Sequence, residues 1–135
     1  MYVNESGAYV TGSLEYETIW AFGGMLGIAD PDFVAAMDFI CDDTGLDAMN
    51  TGVALAASMD SGYASFGDKE AAINMVEEIA RGSEFGKILG GRPSAVGEYF
   101  VNPRVPAVKR HSVAAYDPRA LQGSGGYFCY NANGR

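Results

Sequence analysis

Apolar residues recur at helical spacing through most of this chain, and polar or glycine breaks divide them into short helices. After a polar, turn-rich start in which Tyr9 and Val10 can form a short strand, a helix is predicted from Tyr16 to about Ile28. Ile19, Trp20, Phe22 and Leu26 supply its apolar side, while Gly23, Gly24 and Gly27 lower its intrinsic stability. The next helix has clear ends. Asp30 is placed to cap it, Pro31 suits the first helical position, and Asp32 favours the first turn. Phe33, Ala36, Met37, Ile40 and Cys41 then form one face, and Gly45 is placed as the left-handed residue that stops the helix.

Asp47 can cap a further helix with Val53, Ala56, Ala57 and Met59 on its apolar side, ended by Asp60-Ser61-Gly62. Residues 61–67 read as loop. Asp68 opens another helix, with Ile73, Val76, Ile79 and Ala80 inward, Glu77 and Glu78 outward, and Arg81-Gly82 at its end. Ser83 starts a short helix using Phe85, Ile88 and Leu89, and Ser94 begins one more, closed before Asn102-Pro103. Residues 101–113 lose the periodicity and read as a mostly irregular crossing segment. A last helical turn at 119–122 precedes Gly123-Ser124-Gly125-Gly126. The fold class expected is mainly α, a bundle-like packing of short helices.

Composition narrows the function. A chain of 135 residues with 48% hydrophobic content can bury a core, so it is no disordered acidic tail. A net charge of −8 without a basic cluster argues against nucleic acid or an anionic membrane as partner. No apolar run approaches spanning length, and the start lacks the regions of a signal peptide. Cys41 and Cys129 are far apart, which favours reduced thiols and a cytoplasmic setting over a disulfide, although the pairing stays open.

Several chemistries lack their residues. One histidine and two remote cysteines cannot build a structural zinc site or ligate an iron–sulfur cluster. His111 lies in a basic, proline-flanked segment. Neither a nucleophile elbow, a Walker loop nor a dinucleotide fingerprint occurs. Cys41 falls on an apolar helix face and reads as packing.

What remains is the turn Asp42-Asp43-Thr44-Gly45-Leu46-Asp47. Asp42 and Asp43 place negative charge where a helix already ends in a partial negative charge, a local rule broken without visible compensation. Carboxylates on both sides of a tight turn can converge on a ligand with adjacent N–H donors. Asp47 has a second, ordinary reading as an N-cap.

This turn resembles the Asp-x-x-Gly-Leu-Asp/Cys motif of the tungsten-containing aldehyde ferredoxin oxidoreductases. Leu14-Glu15-Tyr16-Glu17-Thr18 is similar to the family's Pro-Glu-Tyr-Glu-Thr. Asp47-Ala48-Met49-Asn50-Thr51-Gly52 and Ala115-Tyr116-Asp117-Pro118-Arg119 match two further stretches in the family's order. The resemblance implies the helical C-terminal domains of that fold. Residues 1–100 would be part of the middle, pterin-binding domain, and 101–135 a linker and the start of the third domain.

It further implies that Asp42, Gly45, Leu46 and Asp47 hold one pterin of a tungstopterin, a bis-pterin tungsten or molybdenum centre, and that no residue here binds the metal directly. Glu17 would be the catalytic carboxylate that assists proton transfer beside that metal. The family reaction oxidises aldehydes to carboxylic acids, with electrons passing through a 4Fe-4S cluster to ferredoxin. The cluster cysteines, the second pterin motif and the active-site histidine have no counterpart in these residues. The 135 residues alone are therefore expected to be inactive and prone to self-association for want of companion domains. The alternative is a truncated, non-catalytic helical module that serves only protein packing.

Overall fold

The computed structural model of the chain describes residues 1–108 and 110–113. The helical turn expected at 119–122, the glycine run, Cys129 and the match at 115–119 lie outside the described residues. The described part is mainly α, as the spacing of apolar residues predicted.

An antiparallel hairpin of β1 (Tyr2–Val3) and β2 (Tyr9–Thr11) comes first, with Gly7 at φ 81° in its turn. Two side chains fasten it to the next long helix: the Tyr2 hydroxyl donates to Asp32 at 2.6 Å, and Thr11 donates to Asp38 at 2.8 Å. α1 (Tyr16–Ile19) then widens into a π-helical turn over Trp20–Gly24, closed by Met25 N–H on Trp20 O at 2.8 Å. The continuous α-helix expected from Tyr16 to Ile28 is thus cut short. The wider turn also shifts the buried face. Thr18, Ala21, Phe22 and Leu26 are buried, whereas Ile19 is 48% exposed.

α2 spans Pro31–Thr44 and α3 spans Ala48–Asp60. The caps are those the local chemistry dictates. Asp30 accepts the Asp32 and Phe33 N–H groups, Asp47 accepts Asn50 N–H at 2.6 Å, and Gly45 sits at φ 71°. On α2 the buried stripe is Phe33, Val34, Ala35, Met37, Asp38 and Cys41, while Ala36, expected inside, is exposed. α4 (Lys69–Arg81), α5 (Glu84–Gly90) and α6 (Pro93–Phe100) follow. Met75 and Ala72 fill the inner face of α4, and Ala80 lies outside.

α3 is the axis of the fold. Every residue from Thr51 to Met59 is buried, so its apolar surface runs all round, as a helix enclosed by others requires. It touches α1, the π turn, α2, α4, α5 and α6. Gly52 makes this possible, since a Cβ there would lie 2.6 Å from the Ala21 Cβ.

The crossing segment is mostly irregular but contains a second hairpin, β3 (Ala107–Val108) with β4 (His111–Ser112). It runs back along α3. Asn102 bonds Asp60 and Ser61 at one end of α3, and the Ser112 hydroxyl donates to Asn50 at 2.7 Å near the other.

Candidate functional site

The carboxylate turn joins the end of α2 to the start of α3. Its shape follows from a left-handed glycine stop. With Gly45 at φ 71°, Leu46 N–H reaches back to Cys41 O at 2.8 Å and Gly45 N–H lies 3.4 Å from Asp42 O. The Thr44 hydroxyl takes up another late carbonyl, Ile40 O, at 2.6 Å. Backbone groups and Thr44 thus satisfy the helix end, which leaves the Asp42 carboxylate outside that exchange. Among the described residues it accepts no hydrogen bond. Asp47 uses one oxygen on its cap to Asn50.

Asp42, Leu46 and Asp47 line one cavity of about 560 Å³, and Glu17, from the first turn of α1, lines the same cavity. The sequence matches at 14–18 and at 42–47, a helix apart along the chain, thus meet in space. Gly45 shapes the turn without forming the wall. Asp43 is exposed and stands outside the cavity.

Sequence reasoning missed the rest of the wall. Glu15, Ser13, Gly12 and Thr11 come from the strand and loop before α1, and Asp38 lies one helical turn ahead of Asp42. Thr18 and Met49 complete it with Ala48. The only hint in the sequence was the i, i+4 spacing of Asp38 and Asp42, which puts both on one helix face. Five acidic residues therefore line the cavity, Glu15, Glu17, Asp38, Asp42 and Asp47, and no Lys, Arg or His lines it among the described residues. Such a wall accepts hydrogen bonds and positive charge, and it repels anions.

Cys41 lies just behind this wall, buried, and is a free thiol. Burial pushes it up to about 12, against a hydrogen bond with Thr51 that lowers it, and the charges of Asp38, Asp42 and Asp47 add to the rise. It is a packing residue, with no thiolate available for chemistry near neutral pH. Among the described residues no group of three or more His, Cys, Asp or Glu side chains is arranged to hold a metal ion. No helix there is long and apolar enough to cross a membrane.

A second cavity, of about 580 Å³, is walled by Leu14, Ile19, Ile28, Val34 and neighbouring glycines and is nearly all apolar. Asp30 is the one titratable side chain among its lining residues, and its carboxylate is already engaged in capping α2 and pairing with Lys69.

Comparison with known proteins places these residues in context. All of residues 1–135 match the family model described as aldehyde ferredoxin oxidoreductase, domains 2 and 3. A tungsten-containing aldehyde ferredoxin oxidoreductase of Thermococcus kodakarensis is 34% identical over 141 residues, covering 93% of this chain and 23% of that protein. Its counterpart in Pyrococcus furiosus is 32% identical over 136 residues, covering 89% of this chain and 22% of that protein. The one in Pyrococcus abyssi is 31% identical over 138 residues, covering 89% and 23%. The chain thus spans less than a quarter of the length of these relatives.

Proposed function

We infer the function from one premise: the chain belongs to the aldehyde ferredoxin oxidoreductase family, in the region described as domains 2 and 3. We propose that it is the pterin-holding part of a tungsten-dependent oxidoreductase that converts aldehydes to carboxylic acids and passes electrons to ferredoxin. The observation that carries this reading is the convergence of Glu17, Asp42, Leu46 and Asp47 on one cavity whose charged groups are all acceptors.

The residues suit one side of a pterin. Its guanidine-like edge offers a ring N–H and an exocyclic amine side by side, and an ionised carboxylate can accept both in a planar fork. Asp42 is the better placed of the two aspartates, because its carboxylate is spent on nothing else among the described residues. Asp47 would add its second oxygen, and Leu46 would seat the turn against the core, where it is half-buried. The acidic residues of the wall disfavour a phosphate there, even though the start of α3 at Ala48 and Met49 also lines the cavity. Any anionic part of the cofactor would be held by other parts of the protein.

When bound, the tungsten centre supplies the two-electron oxidation. The part of this chain is to hold and to move protons. Glu17 would take a proton at its carboxylate as the aldehyde carbon gains oxygen, a general-base role worth about 10²–10⁴ in rate. The 4Fe-4S cluster of the complete enzyme would draw its thiolates from elsewhere, because Cys41 and Cys129 cannot supply four. Residues 101–135 would lead into the third domain, and exposed apolar side chains such as Ile19 and Phe39 would favour self-association or packing against companion domains. A cytoplasmic setting agrees with the thiol usage.

Two substitutions in the complete enzyme test the division of labour. Asp42→Asn should loosen the pterin by about 1–3 kcal/mol, read as cofactor lost on gel filtration. Glu17→Gln should leave cofactor content unchanged and lower kcat at least a hundredfold. Full retention in the first variant, or full turnover in the second, would overturn the corresponding role.

A further inference from the structure

We propose that Asn50 and Ser112 are positioning residues of the cavity, a pair through which the β3–β4 hairpin sets the stance of the Asp47 carboxylate. The inference rests on the pterin-holding reading above and deepens it with two residues that touch no ligand.

Asp47 is an exposed side chain with a fixed point. Its carboxylate accepts Asn50 N–H at 2.6 Å, so the place of that N–H decides where the second oxygen can reach. Asn50 belongs to the first turn of α3, where N–H groups lack carbonyl partners within the helix and the end is prone to fray. Asn50 has a second attachment as well. Its side-chain Oδ1 accepts the Ser112 hydroxyl at 2.7 Å, from 62 residues further along the chain. Ser112 is 3% exposed, so water does not readily replace that partner. The hairpin behind it is closed by Val113 N–H on Pro106 O at 2.9 Å, and β4 packs against both α3 and α6.

The crossing segment has other fastenings on α3. Asn102 donates to Asp60 at 2.7 Å and to Ser61 at 3.0 Å, and the Arg104 guanidinium lies 3.1 Å from Asp60. Those contacts stand at the far end of α3, about 20 Å along its axis from Asp47. Ser112 instead bonds the residue whose own backbone holds the cap. A shift of the hairpin therefore passes to the carboxylate through a single residue, between one hydrogen bond and the next. The cap itself needs no Ser112, so the hairpin tunes the grip and does not create it.

The test uses the full chain and pterin itself (2-amino-4-oxopteridine), followed by its own fluorescence. Asn50→Ala and Ser112→Ala should each raise the Kd for pterin about threefold, the part of one neutral hydrogen bond that reaches the site. The double variant should bind no more weakly than either single one, because both remove the same bond. Asn102→Ala, at the far end of α3, should bind as the parent does. A pair that only packs would lower the urea midpoint and leave the Kd unchanged. That result would overturn the inference, as would additive losses in the double variant or an equal loss in Asn102→Ala. In wild-type chain labelled with 15N, the Asn50 side-chain amide and the Ser112 backbone amide should shift on saturation with pterin. That measurement decides the matter where a variant fails to fold, and unmoved resonances would overturn this inference alone. Absence of any pterin binding by the wild-type chain would instead take down the reading beneath it.

Discussion

Cys41 sits against three acidic residues of the site and takes no part in its chemistry. Its thiol is raised from 9.0 to about 12, first by burial. The sign of the consequence follows from proton counting. Between pH 9 and 12 the unfolded chain has released this proton while the folded chain keeps it, so stability falls as the pH climbs through that window. Tyr2 acts in the same sense, raised from 10.0 to about 12 chiefly by the hydrogen bond it donates to Asp32. Denaturant unfolding measured from pH 8 to 11 should show this decline, and Cys41→Ala should flatten it while leaving the share of Tyr2. An unchanged slope in the variant would mean that burial of the thiol is not what sets it. The packing role of Cys41 was legible from its place on an apolar stripe. Asp38 was not, because an aspartate in a helix reads by default as solvent-facing. Its burial depends on Thr11, which is 27 residues away along the chain.

Helix ends were the most legible elements, because capping is local chemistry. Asp30, Asp47, Asp68 and Ser83 all accept backbone N–H groups at the starts the sequence marked, and Gly45 and Gly82 take the left-handed stop. The π turn was not legible. Its glycines announce a weak helix, but nothing local marks the wider spacing, and the close seat of α3 on Ala21 is a contact between residues far apart in sequence. The second hairpin was hidden for another reason. Its turn includes Arg110 at φ 73°, where a glycine or asparagine would have signalled it. The tight seat yields a prediction for the element. In Gly52→Ala the new methyl would lie 2.6 Å from the Ala21 Cβ and 2.7 Å from its carbonyl oxygen. Two backbones would have to part, at a loss of about 1–3 kcal/mol. The urea midpoint should drop with little change in slope. A variant as stable as the parent would show that α3 and the π turn are not in the contact described.

For the molecule as a whole, the ordering of its parts follows from enclosure. The strands of the β1–β2 and β3–β4 hairpins are only two or three residues long, whereas α3 is covered from Thr51 to Met59. Amide hydrogen exchange should therefore be slowest in α3 and fast in both hairpins, because a buried helix opens only when the whole domain does. Equal rates in α3 and the hairpins would contradict the enclosure. Asp47 caps this same helix, so the proposed ligand grip is anchored to the last element to come apart. Local fraying elsewhere would leave the grip intact, and a ligand held there would shift the folding equilibrium itself. At a hundredfold excess over its Kd, it would raise the free energy of global unfolding by about 2.7 kcal/mol and lengthen the protection of α3 in proportion.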